Sequence, residues 1–144
     1  MIAETVPADQ VQQMRQAPAT TPEQEVLFQI QARNLKKIND AHVARIGFGT
    51  DSGISIGWPV HTELADMVAA GMTPAQVITA ATKTSAEILK LDQLGLVAAG
   101  KSADFVILDA NPLDDIRNTR RIIRVYIRGK EVNRAALRAE WTSK

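Results

Sequence analysis

Val43-Ala44-Arg45-Ile46-Gly47-Phe48-Gly49-Thr50-Asp51-Ser52-Gly53 is the stretch on which the fold turns. Its first six residues are short, mostly apolar and partly β-branched, with turn signals after them, which reads as a buried strand rather than a helix. Arg45 is the one poor fit, since a strand covered on both faces rarely holds an unpaired charge. Gly49 and Gly53 let the backbone leave the strand sharply. A β-branched side chain at Gly49, forced toward positive φ, is therefore expected to cost about 1 kcal/mol or more. Thr50 and Asp51 then point into whatever lies above the strand end. Two readings of Asp51 stand open: an Asx-type turn cap beside glycine, or a functional carboxylate at a strand tip, where barrel enzymes keep their chemistry.

Upstream, Thr21-Pro22-Glu23 supplies an N-cap, a proline at the first helical position and an acid in the first turn. Leu27, Ile30, Leu35 and Ile38 recur near helical spacing, with Lys36 and Lys37 expected in the last turns. Residues 1–20, with Pro7, Pro18 and many Gln and Ala, read as a loosely ordered arm. Downstream, a loop through Gly57-Trp58-Pro59 precedes a helix from Glu63 to Ala70, with Leu64, Met67 and Val68 inward and Gly71 as terminator. Thr73-Pro74-Ala75-Gln76 is a capping box, and Thr84-Ser85-Ala86-Glu87 reads as another. From Leu94 the pattern changes. Gly95 and Gly100 flank turns, Phe105 to Leu108 and Ile122 to Ile127 read as strands, and Arg128-Gly129 as a hairpin turn into Lys130-Glu131-Val132. Arg134 to Trp141 reads as a closing helix with Ala and Leu on its inner side. The expected units are 1–20, 21–93, 94–133 and 134–144.

With 144 residues, 45% hydrophobic and 23% charged, the chain is long enough for one domain with a sizeable core. A net charge of +1 gives no reason to expect nucleic acid or an anionic membrane as partner. Cysteine is absent, which excludes disulfides, thiolate metal sites and a cysteine nucleophile. No run is apolar enough to cross a bilayer, and the first residues carry no secretory pattern, so a cytoplasmic location is expected.

An ordered series of motifs carries more. Gly49-Thr50-Asp51-Ser52-Gly53 is followed by His61-Thr62-Glu63-Leu64, then by Met67-Val68-Ala69-Ala70-Gly71-Met72-Thr73-Pro74. Ala80-Ala81-Thr82, Gly95, Gly100-Lys101-Ser102-Ala103-Asp104-Phe105 and Asn111-Pro112-Leu113 complete it. From Asn34 to Val132 the chain resembles the C-terminal part of the amidohydrolase superfamily, nearest its imidazolonepropionase and Xaa-Pro dipeptidase-like members. The resemblance implies an α/β fold: the last βα portion of a metal-dependent TIM barrel plus C-terminal strands of a small composite β-sandwich. Val43 to Phe48 would be the eighth barrel strand.

The resemblance also implies that Asp51 binds the catalytic metal, zinc in the expected case, and takes a proton from its water. A divalent ion brings the pKa of bound water toward neutrality, and a nearby carboxylate can then accept the proton. Ser52, Gly53 and His61 would lie near the substrate; His61 also reads as a helix-start or packing histidine. The family's other metal ligands, a His-x-His pair among them, lie on earlier strands that this chain lacks. One carboxylate does not hold zinc, and a closed barrel needs about 250 residues.

His42 stands where relatives carry glycine, which puts the tight helix-to-strand turn in doubt. Asp104 reads as a turn cap, and Asp109, Asp114 and Asp115 as loop residues around Asn111-Pro112 rather than a metal cluster. Arg117, Arg120, Arg121, Arg124 and Arg128 read as a solvated face.

The expected function is thus that of the C-terminal part of a hydrolase acting on carbon–nitrogen bonds of an amide, cyclic amide or dipeptide, incomplete as an isolated chain. Self-association or a separate N-terminal half would cover its apolar faces. The alternative is a non-catalytic relic or assembly module.

Overall fold

The computed structural model describes residues 12, 20–51 and 58–142. The expected N-terminal arm lies almost wholly outside them.

Helix α1, Pro22–Ala41, begins as the sequence dictates. Thr21 Oγ1 accepts the Gln24 N–H at 3.3 Å while Gln24 Oε1 accepts the Thr21 N–H at 2.9 Å, a reciprocal capping box. The helix outlasts the expected end: its last turn holds no basic residue, and Lys36 pairs with Asp40 at 2.5 Å instead. It stops at His42, which takes φ +52. This is the left-handed cap position that glycine fills most cheaply. The turn therefore forms without glycine, at the conformational cost of a histidine. Of the apolar stripe, Leu35 packs partly against the core, whereas Leu27 stays 55% exposed and Ile30 41%.

Val43 to Phe48 is extended, but among the described residues it joins no sheet, which corrects the strand expectation. A strand exists through a neighbour that takes up its backbone groups, and no described segment lies beside this run in that way. Ile46 and Phe48 pack against the core, and the Phe48 N–H donates to Ser85 Oγ at 2.9 Å. Arg45 points outward, 3.8 Å from Glu87. Gly49 also departs from expectation. It is not among the glycines at positive φ, and a Cβ there would meet nothing within 4 Å. The left-handed residue is Asp51, at φ +46, so the strain expected of Gly49→Val has no basis.

Helix α2, Trp58–Ala69, starts five residues ahead of Glu63, so the expected loop is partly helical. Its end is a Schellman closure: Gly71 at φ +102 donates to Val68 O at 2.9 Å, and Met72 N donates to Met67 O at 3.2 Å. Met67 and Met72, the pair such a closure brings together, are both buried.

Helix α3, Pro74–Thr79, opens with the Thr73–Gln76 capping box. Val77 within it is wholly buried, a burial worth roughly 2 kcal/mol. Because this cap aims Val77 into the core, Thr73→Ala should lower unfolding stability by about 1 kcal/mol, read from the midpoint of urea unfolding; an unchanged midpoint would show that packing alone sets the helix start.

The chain then continues as a π-helical turn, Ala80–Thr84, into α4, Ser85–Ile88. Thr84 has helical dihedrals and caps nothing, so the second expected capping box is not one. The Thr82 hydroxyl donates to Ile78 O and the Ser85 hydroxyl to Ala80 O, both at 2.7 Å. Side-chain bonds of this kind open the ladder and favour a local bend.

Gly95 at φ +85 folds the chain back against the π turn. Strands β1, Phe105–Leu108, β2, Ile122–Ile127, and β3, Lys130–Glu131, form an antiparallel sheet in that order. Phe105 faces Tyr126, their rings stacked at 4.7 Å. Arg128 at φ +51 and Gly129 at φ +76 make the expected hairpin turn, whose Arg128 N–H is accepted by Asp104 Oδ1 at 2.9 Å. Asp104 is a cap, as read. Between β1 and β2, the 3-10 turn Ile116–Arg120 is capped by Asp115. Asp109 and Asp115 pair with Arg121 and Arg117, and Glu131 lies 3.8 Å from Arg124, so these charges offset one another at the surface. The last helix, α5, Arg134–Thr142, forms, but residues 134–140 are all exposed and present no covered inner side.

The core comprises Leu64, Met67, Met72, Val77, Ala80 and Ile116. Ile116 comes from the β unit, so the 3-10 turn is locked onto the helices by the same apolar cluster. Among the described residues no helix is long and apolar enough to cross a membrane.

Candidate functional site

Asp51 closes the extended run on its exposed side. Its φ of +46 turns the backbone away from the run's direction, a conformation Asp tolerates better than most residues. Among the described residues no hydrogen bond or ion pair engages its carboxylate, and none joins it to His61. Ser52 and Gly53 lie outside the described residues, so their expected place beside substrate is an expectation only.

His61 occupies the first turn of α2, half-buried against the 3-10 turn. Its Nδ1 lies 3.1 Å from Thr119 Oγ1, and the Thr119 hydroxyl donates to Ile116 O at 2.8 Å. With that proton committed, Thr119 Oγ1 can only accept, so Nδ1 carries the histidine's hydrogen and Nε2 carries its lone pair. Burial first, and the Arg120 guanidinium second, push the His61 pKa below its ordinary value. The imidazole is therefore held neutral. Along the same helix Glu63 is pushed up by burial and by Asp66, and Asp66 by burial.

The direction of the His61 shift fixes a pH dependence. A base with depressed folded pKa contributes stability that is fully present above its ordinary value of 6.5 and is lost as pH falls through the lower folded value. The melting-temperature difference between the native chain and His61→Gln should shrink as pH is lowered from neutrality through that window. A constant difference would show that His61 does not titrate with unfolding.

The donors for a metal are few. Among the described residues no three His, Cys, Asp or Glu side chains converge on a common point. A catalytic zinc site takes about three protein ligands and an open position. Asp51 fits one corner of such a centre; the described residues do not make a whole one. An open concavity of about 360 Å³ runs past His42, Arg45, Met72 and Gln76, beside the start of the extended run rather than its Asp51 end.

Sequence reading located Asp51 and His61 but not the partners of His61. Thr119 lies 58 residues further on, in a turn whose pattern shows only loop chemistry. Ser85, which grips the extended run, reads in the sequence only as part of a helix start.

Residues 5–132 match the amidohydrolase family. The chain is 33% identical over 113 residues to an adenine deaminase of Desulfitobacterium hafniense (strain Y51), covering 72% of this chain and 19% of that enzyme. Among solved structures, a Xaa-Pro dipeptidase with methionine bound in its active site superposes with a TM-score of 0.65 at 30% identity, over 70% of this chain and 25% of the dipeptidase. A phenylurea hydrolase B gives 0.59 at 37% identity, over 72% and 27%. The chain thus spans about a fifth of the curated relative and about a quarter of the solved ones. The match extends over the extended run, Asp51, helices α1 to α4 and the β unit alike, and on that breadth the chain belongs to the amidohydrolase family.

Proposed function

We propose that this chain contributes the Asp51 region to a hydrolase that cleaves carbon–nitrogen bonds in a small molecule or dipeptide. The observation that carries the reading is the exposed Asp51 carboxylate at the end of the extended run, which no described residue engages, within a segment matched to the family. The similar proteins, an adenine deaminase, a Xaa-Pro dipeptidase and a phenylurea hydrolase, all act on bonds of this class.

In this reading Asp51 accepts a proton from the attacking water and returns it to the leaving nitrogen. His61, neutral with the lone pair on Nε2, accepts a hydrogen bond from a substrate N–H, and Ser52 and Gly53 are the further substrate contacts of this reading. A divalent ion, zinc in the expected case, would lower the pKa of the attacking water, and its remaining donors come from outside the described residues. A second polypeptide, whether an N-terminal half or another copy, covers Leu27 and Ile30, which α1 leaves exposed.

The test is to assay the chain alone and with the coding segment upstream of it, on amides, a Xaa-Pro dipeptide, adenine and a phenylurea. Turnover in the combined preparation supports the reading. A combined preparation that binds divalent metal yet hydrolyses none of them favours the non-catalytic assembly module.

A further inference from the structure

The π turn Ala80–Thr84 has a consequence for the run that ends at Asp51. In a regular helix a serine reaches carbonyls three or four residues back. Here the wider turn puts both the N–H and the hydroxyl of Ser85 on the carbonyl of Ala80, five residues back, the hydroxyl at 2.7 Å. With its proton committed to Ala80, Ser85 Oγ is left as an acceptor and takes the Phe48 N–H at 2.9 Å. One oxygen therefore ties the backbone of the helix to the backbone of the extended run, three residues before Asp51.

The run and the helix approach closely at Gly47: a Cβ there would lie 2.9 Å from the flexible tip of Ile88, which would have to give way, and in ordinary contact 3.5 Å from Ser85 Oγ. No sheet neighbour among the described residues holds the run in register. Its height above the helices is set in part by the packing of Ile46 and Phe48, by Arg45 beside Glu87, and by this bond.

We infer that Ser85 is a positioning residue for Asp51, acting through Phe48. The inference rests on the reading of Asp51 as the catalytic carboxylate. Ser85→Ala leaves a part-buried N–H without its acceptor and frees the run to shift. A displacement of about 1 Å at a reacting group can cost up to a hundredfold in rate.

The experiment has two readouts. In the full chain, amide exchange at Phe48 should accelerate roughly tenfold or more in Ser85→Ala, while Ile122–Ile127 stays protected. In the preparation with the upstream segment, kcat should fall roughly tenfold or more with KM nearly unchanged, and Ser85→Thr should restore it. Should alanine unfold the turn, Ser85→Cys, similar in size but a weak acceptor, gives the same comparison. Unchanged Phe48 exchange, or faster exchange with full kcat, overturns the inference while leaving Asp51 in place. Full activity in Asp51→Asn, or no turnover in the native preparation, overturns the functional reading and this inference with it.

Discussion

Asp51→Asn should lower turnover of the assembled enzyme by roughly two orders of magnitude or more while leaving its melting temperature nearly unchanged. The two halves of this expectation have separate causes. The amide keeps the size and the acceptor oxygen of the carboxylate but has no charge with which to take a proton at neutral pH. Stability is spared because Asn tolerates left-handed backbone at least as well as Asp, and residue 51 sits at φ +46. Alanine would be a poorer test, since its own reluctance at positive φ would confound a catalytic loss with a backbone one. Steady-state rates and thermal unfolding measured on the same preparation decide it. A fully active Asp51→Asn would remove the catalytic role from Asp51 and favour the assembly-module reading of this chain.

Gly95→Val should be the most damaging single change to the isolated chain, lowering stability by about 3 kcal/mol or more. Gly95 sits at φ +85, where a β-branched side chain is strained wherever it points. Its Cβ would also fall 2.7 Å from Ala86 Cβ, 2.9 Å from Thr82 O and 3.0 Å from Lys83 Cα. Two of those three atoms are backbone, so no rotamer change relieves the overlap. The π turn would have to move, and with it Ser85 and the run it holds. Gly100→Val is the control: its φ of +78 imposes similar backbone strain, but a Cβ there meets nothing within 4 Å. Chemical denaturation of both variants separates the two effects, and equal losses would mean that the close approach at Gly95 contributes nothing.

Local chemistry was legible in the sequence wherever one residue satisfies another a few positions away. Thr21 as an N-cap, Thr73 with Gln76, Gly71 after its helix and Arg128-Gly129 between strands all formed as read, because their partners lie within a turn. The family was legible too, since an ordered series of short motifs survives without knowledge of contacts. Tertiary structure decided what depends on distant neighbours. The run Val43 to Phe48 has the composition of a strand, but pairing requires another backbone alongside, and among the described residues none is there. Thr84-Ser85-Ala86-Glu87 has the spelling of a capping box, yet a helix already running through it leaves no free N–H groups to cap, so Ser85 turns to Ala80 and Phe48 instead. The lowered pKa of His61 follows from burial and from Arg120, and its ring is oriented by Thr119, all brought about only by folding. Sequence alone determined the caps and the turns and marked Asp51 at the end of its run; packing over tens of residues decided which groups hold that run in place.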